Sequence, residues 1–292
     1  ITGKGKGNRY RGQATNLVKY YRETRNLMDA TGEGVIGKTF RPVIGATAAA
    51  QLGFLMAPAI VNMTSLYTHA IPYLATYNSK TGYGAGHGIG AATAAIHRAM
   101  SSVSLIRDGF TKDVFGTAAS MDELIKQAEK DISMLDKYDV SLDELKFLRD
   151  LTAKGVLTPN LNNALLDIAR TGRRSILGKG MESWMALFSK TEQYNRRVTA
   201  LASYRLETER LKAQGKNVFL KENKEDLYSR ATLAVNTSQG NYSQYNRPAW
   251  ARGNILQFTY MYKQFIVISV QLMRNLAPKE RRIFLATLFL AA

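Results

Sequence analysis

The chain contains no cysteine. Disulfides, thiolate zinc sites and cysteine nucleophiles are therefore excluded. Histidine is scarce too. His69, His87 and His97 are the only three, and none stands in H-E-x-x-H or another metal-ligand spacing. No G-x-S-x-G elbow is present. Negative charge is short, with 23 Asp and Glu against 40 Lys and Arg. The acidic residues fall on amphipathic faces, away from the apolar surroundings that raise a carboxyl pKa for acid–base work. Neither an enzyme nor a cofactor is expected. Strand series, internal repeats and coiled-coil heptads are also missing. What remains is an all-α chain, extended or bundle-like, with basic and Gly-rich connectors.

What is present in excess is positive charge. The formal net charge is +17, and it is clustered. Residues 1–42, 168–200 and 227–292 are strongly basic, whereas 112–167 hold eleven acidic residues against seven basic ones. An excess of this size favours a polyanionic partner, nucleic acid or acidic lipid.

Five segments follow in order. Residues 1–42 form a basic helical segment ending in a Gly-rich turn. Residues 43–110 are an apolar helical segment in which 43–97 contain a single charge, Lys80. Pro58 and Pro72 interrupt it, and Gln51, Asn62 and His69 sit inside it. Its length would span a bilayer, but these interruptions favour helices buried in protein. The run GYGAGHGIG at 82–90 is not the dinucleotide fingerprint. It predicts a flexible connector or a close backbone contact. A helix over 91–106 follows.

Residues 111–168 read as short acidic amphipathic helices. Ser120 with Glu123, and Ser141 with Glu144, predict capping boxes. Leu124, Ile125, Ala128, Ile132 and Leu135 follow the first at helical spacing, and Leu145, Phe147, Leu148 and Leu151 follow the second. A further helix is expected over 161–169. Residues 169–226 carry a basic turn and one long helix over 182–212, with Trp184, Leu187, Phe188, Tyr194, Val198, Leu201, Tyr204 and Leu211 on its apolar face. Its arginines form either a solvated face or the lining of a nucleic-acid path. Gly215 ends it, and 222–235 is helical again. Residues 227–292 close the chain with a polar, aromatic bend and apolar helices. The chain starts at Ile1 and stops inside an apolar run, and it is expected to be a piece of a longer polypeptide.

Two motif matches need weighing. Gly32 to Thr39 fits the P-loop pattern G-x-x-x-x-G-K-[ST]. A working P-loop follows a buried strand and opens a helix, whereas here a polar helix-patterned segment precedes it and Phe40-Arg41-Pro42 follows. An NTP-driven translocase stays as a minor reading. The segment GNYSQYNRPAWAR at 240–252 suits stacking on single-stranded nucleic acid, or a bend that breaks one helix before the next starts at Gly253.

Three stretches carry a resemblance. The first is Asn26-Leu-Met-Asp29 with Thr31-Gly32 and Arg41. The second is Leu52-Gly-Phe-Leu55 through Asn62 to Ile71-Pro72 and then Gly86-His-Gly-Ile-Gly90. The third is Gln257-Phe258-Thr-Tyr-Met-Tyr-Lys263-Gln-Phe265, continuing to Asn275 and Pro278-Lys-Glu-Arg281. In their order and spacing the chain resembles the C-terminal part of the large internal virion proteins, the DNA-ejection proteins, of short-tailed bacteriophages. The resemblance implies a structural protein stored in the capsid interior as a core over the portal. It implies ejection into the host periplasm and inner membrane, where the protein helps form a DNA-translocating tunnel. The implied partners are double-stranded phage DNA without sequence preference, other internal core proteins, the portal, the host inner membrane and further copies of the chain.

On this reading the candidate DNA-backbone contacts are Arg173, Arg174, Lys179, Arg196, Arg197, Arg247 and Arg252. Candidate membrane or assembly residues are Phe258, Tyr262, Phe265, Ile266 and Leu272. The rival from another class is a membrane-active pore or lytic protein with no DNA role, since the charge suits acidic lipid equally.

Overall fold

The computed structural model describes residues 64–77, 84–110, 113–158, 176–239 and parts of 269–286, with the side chains of the long helix from Ser189 onward. Helix makes up 78% of the described residues and no strand occurs among them, so the fold is all-α. A π-helical turn, Leu66–Ala70, runs into α1 (Ile71–Ala75). Then come α2 (Ile89–Asp108), α3 (Ala118–Lys130), α4 (Ser133–Tyr138) and α5 (Leu142–Ala153). The long α6 (Ile176–Ala213) and α7 (Lys221–Ser238) follow.

The bundle is organised round α6. All thirteen residues of 195–207 are buried. A surface helix keeps an exposed polar stripe on its outer side; over these turns α6 has no exposed side, and its polar residues are buried too. α2 and α7 pack most extensively along it, and α5 and the π-helical turn close further sides. Val198, Ala200, Leu201, Ala202, Tyr204 and Leu206 join one continuous apolar cluster with Ile96 and Val103 of α2, Phe147 and Leu148 of α5, and Leu227 and Val235 of α7. The ring of Phe147 lies 4.4 Å from that of Tyr204 and 4.9 Å, edge-on, from that of Tyr228, so α5, α6 and α7 meet at one aromatic contact.

α6 ends as its sequence predicts. Gly215 adopts φ +68°, and the amides of Gly215 and Lys216 return to the carbonyls of Lys212 and Leu211. That pairing satisfies carbonyls the helix end would leave open, and it turns the chain back into α7. α7 presents Leu227, Ala231, Ala234, Val235 and Ser238 inward at three- and four-residue steps.

The Gly-rich connector makes a close backbone contact. The amides of Ala85, Gly86, His87 and Gly88 donate to the carbonyls of Tyr73, Thr76, Leu74 and Ala75. The connector thus caps the C-terminus of the short α1. A Cβ on Gly84 would sit 1.9 Å from the Thr76 carbonyl oxygen, so no other residue fits there. Residues 66 and 68–76 are buried among protein helices, and no described helix is long and apolar enough to cross a membrane.

The acidic helices depart from expectation in two places. The cap of α3 is Thr117, whose Oγ1 accepts from the Ser120 amide at 3.1 Å; Ser120 lies inside the helix. The expected single run through Ile132 is broken at Asp131, whose carboxylate accepts from the Ser133 amide and opens α4. This local bond competes with helix continuation and leaves Ile132 68% exposed. The second capping box is present. Ser141 Oγ accepts from the Glu144 amide, and Glu144 Oε2 accepts from the Ser141 amide at 2.7 Å. The expected helix over 161–169 lies outside the described residues.

Glu144 also receives Arg205 Nε at 2.7 Å from α6, so one side chain caps α5 and fixes it to the central helix. Ser141→Ala is expected to cost about 1 kcal/mol. Glu144→Ala is expected to cost about 3 kcal/mol, because it removes the nearest carboxylate from buried Arg205 as well as half of the capping box. Urea unfolding measures both; equal costs would show that the contact to Arg205 contributes nothing.

Candidate functional site

The long helix was the candidate nucleic-acid face, and its side chains contradict that assignment at two positions. Arg196 is fully buried; its Nε donates to Glu192 Oε1 at 3.0 Å and its Nη1 to the Val156 carbonyl at 3.1 Å. Arg197 is buried against the Phe115 ring, 4.8 Å from the centroid, with Gln193 and Asp113 beside it. Burial pulls its guanidinium down to about 10, partly offset by Asp113. Neither side chain can reach a phosphate in this fold. The reason is topological: the turn after α5, at Val156, and the segment before α3, at Asp113 and Phe115, cover faces that a lone helix would leave to solvent.

The buried cations are matched by carboxylates along α6. Arg205 pairs with Glu144 and donates to Ser102 and the Asp139 carbonyl. Asp139 is in turn held by Arg98, whose paired hydrogen bonds keep that carboxyl below its ordinary range. Glu207, 1% exposed, faces His87 at 3.0 Å, Arg210 at 2.6 Å and Arg230 at 3.7 Å. Burial works to raise its carboxyl, but the hydrogen bonds from His87 and Arg210 outweigh burial and hold it low. A carboxylate so fixed is a counter-ion rather than a proton donor. Glu144, Glu192 and Glu207 correct the expectation that carboxylates stay on amphipathic faces. For Glu192 and Glu207 the sequence signal is an Arg three or four residues later, Arg196 and Arg210; Glu144 has no such local signal.

The remaining predicted residues divide as follows. Lys179 lies on the first turns of α6. Leu272 is fully buried in the apolar cluster, which places this assembly candidate inside the chain's own core. Arg173, Arg174, Arg247, Arg252, Phe258, Tyr262, Phe265, Ile266 and the P-loop-like 32–39 lie outside the described residues. No group of three or more His, Cys, Asp or Glu side chains that could hold a metal occurs among the described residues.

One solvent-facing basic site was not foreseen. A hollow of about 560 Å³ opens between the end of α5 and the start of α7. Lys154, Lys221 and Lys224 line it with Asp150, Glu225 and Tyr228. The ammonium groups of Lys154 and Lys224 stand 5.4 and 5.8 Å from the Tyr228 ring centroid. The Tyr228 hydroxyl donates to Asp150 at 3.1 Å, and Arg149 also engages Asp150. Burial and the neighbouring carboxylate push the phenol up, so it stays a donor. The signal was the spacing of Lys221 and Lys224, one turn apart on a helix. Lys154 joins them only through the fold.

No known protein family, curated protein or solved structure matches the chain.

His69 gives this core a pH dependence. Its Nδ1 faces Thr68 Oγ1 at 2.7 Å, its Nε2 faces Ser269 Oγ at 3.0 Å, and Phe284 packs edge-on against the ring. Burial lowers its pKa to about 4 from an ordinary 6.5. Between these values the unfolded chain binds the proton and the native chain does not. Stability should therefore fall as pH drops from 6.5 to 4, by on the order of 3 kcal/mol in total, and should not change through this group above 6.5. His69→Gln should flatten that slope in urea unfolding between pH 6.5 and 5. An unchanged slope would assign it to other groups.

Proposed function

We propose that the chain is a structural component of a bacteriophage internal core that is ejected into the host and forms part of a DNA-translocating tunnel. The resemblance to the internal virion proteins of short-tailed phages motivates this reading. The observation that carries it is how charge is divided. The buried cations of α6 are matched inside the bundle, whereas the described lysine side chains are exposed apart from half-buried Lys146. Among the described residues the exposed lysines are thus not needed to neutralise buried charge and are open to a polyanion.

The mechanism is physical. Copies of the chain associate through apolar faces, and Lys and Arg side chains screen phosphates in the path. Such contacts are numerous, individually weak and blind to sequence, so that a duplex can slide. Arg173, Arg174, Lys179, Arg247 and Arg252 are the proposed backbone contacts, without Arg196 and Arg197. The segment bearing Phe258, Tyr262, Phe265 and Ile266 is the proposed element that exchanges the core particle for the host membrane. Leu272 would have to leave its buried position to take part.

Fluorescence anisotropy with labelled duplexes tests this. Affinity should be independent of sequence and should fall linearly in log–log form with salt. Arg173→Gln with Arg174→Gln should weaken binding and reduce the salt slope by roughly 1 to 2. Arg196→Met should cost about 3 kcal/mol of stability by removing one side of the buried Glu192–Arg196 ion pair, while changing duplex affinity less than twofold where the protein is folded. Absence of duplex binding at low salt, with anionic vesicles still bound, would support the pore reading instead.

A further inference from the structure

The turn joining α6 to α7 presents an unusual surface. Phe219 is 76% exposed and Leu220 57%, side by side at the tip of the helical hairpin. A hydrogen-bonded frame holds them there. Asn217 Oδ1 accepts from the Phe219 amide at 2.9 Å, Asn223 Nδ2 donates to the Asn217 carbonyl at 2.7 Å, and the Gly215–Lys216 cap fixes the entry. Val218, partly buried, packs against the core and anchors the turn from behind. Around the pair, residues 212–224 carry four lysines, all exposed, against one glutamate. Lys221 and Lys224 are also walls of the hollow next to the apolar tip, where with Lys154 they outnumber the carboxylates of Asp150 and Glu225.

We propose that this tip is a docking site for an anionic phospholipid bilayer. Phe219 and Leu220 enter the boundary between headgroups and acyl chains, Lys212 and Lys216 lie along the surface, and a lipid phosphate enters the hollow formed by Lys154, Lys221 and Lys224. Apolar side chains at the end of a fixed turn with a basic collar are what an anionic interface recognises: burial supplies depth, and the lysines supply attraction. A DNA duplex would use the lysines but would gain nothing from Leu220. The contact is peripheral and needs no membrane-spanning helix. It rests on the proposed function for its setting at the host membrane, while its residues are read from the turn and the adjoining hollow alone.

Co-sedimentation of the full chain with phosphatidylglycerol–phosphatidylethanolamine vesicles and with pure phosphatidylcholine vesicles tests it. The chain should bind the anionic vesicles preferentially. Phe219→Ser with Leu220→Ser should lower the partition coefficient at least roughly tenfold, with helix content by circular dichroism unchanged because both side chains are exposed. Lys221→Gln and Lys224→Gln should each lower it about fivefold, and added salt should erase the difference. In Phe219→Trp, brominated lipid should quench emission beyond the background from Trp184 and Trp250. Wild-type binding that the Phe219/Leu220 double variant retains in full would overturn this site and leave the proposed function standing. No wild-type binding to anionic vesicles would overturn both this site and the membrane part of that function. Loss of duplex binding in the double variant, with vesicle binding kept, would make the tip a nucleic-acid contact instead.

Discussion

A helix buried on every side must neutralise its own charge. α6 runs through the middle of the bundle with Arg196, Arg197 and Arg205 in its fully covered turns. Removing a guanidinium from water costs several kcal/mol unless a partner stands beside it. The neighbours are arranged round that demand. Glu192 lies one turn before Arg196, Glu144 reaches in from the start of α5, and Asp113 and the Phe115 ring sit against Arg197. Glu207 inverts the pattern, a buried carboxylate drawing in His87, Arg210 and Arg230. The acidic helices α3 to α5 therefore have a structural place. Part of their negative charge, on Glu144 and Asp139, matches cations of α6 and α2.

This arrangement separates two uses of positive charge. Inside, guanidiniums with several fixed donors tie helices together through carboxylates and carbonyls. Outside, lysines face water and remain available to a partner. The hairpin of α6 and α7 shows both within a short stretch. Just behind its tip Arg210 and Arg230 converge on Glu207 and Asp226, and at the tip exposed lysines surround Phe219 and Leu220. A tip braced by ion pairs directly behind it suits a part that meets a surface while the bundle stays intact.

Much of the fold was legible in the residues. Three- and four-residue spacing located α2, α5 and α7 to within a few residues and α6 apart from its first six residues, Gly215 marked the end of α6, and Ser141 with Glu144 marked the start of α5. Asp131 was read as one more polar position in a helix, because its side chain's bond to the next turn leaves no periodic trace. The candidate site was much less legible. Periodicity places Arg196 and Arg197 off the apolar stripe, and a helix taken alone would leave them in water. Only the turn at Val156 and the segment of Asp113 and Phe115, distant in sequence, bury them. The hollow of Lys154, Lys221 and Lys224 joins residues some seventy positions apart, which no local pattern links.

The division between matched internal cations and exposed lysines can be measured directly by covalent footprinting. The native chain would be treated with an arginine reagent and a lysine reagent, with and without duplex DNA, and read residue by residue by mass spectrometry. Arg196, Arg197 and Arg205 should remain unmodified in both conditions, while exposed lysines react and some become protected by the duplex. Modification of Arg196 and Arg197 in the free protein, removed by adding DNA, would show that the central helix faces the nucleic acid after all.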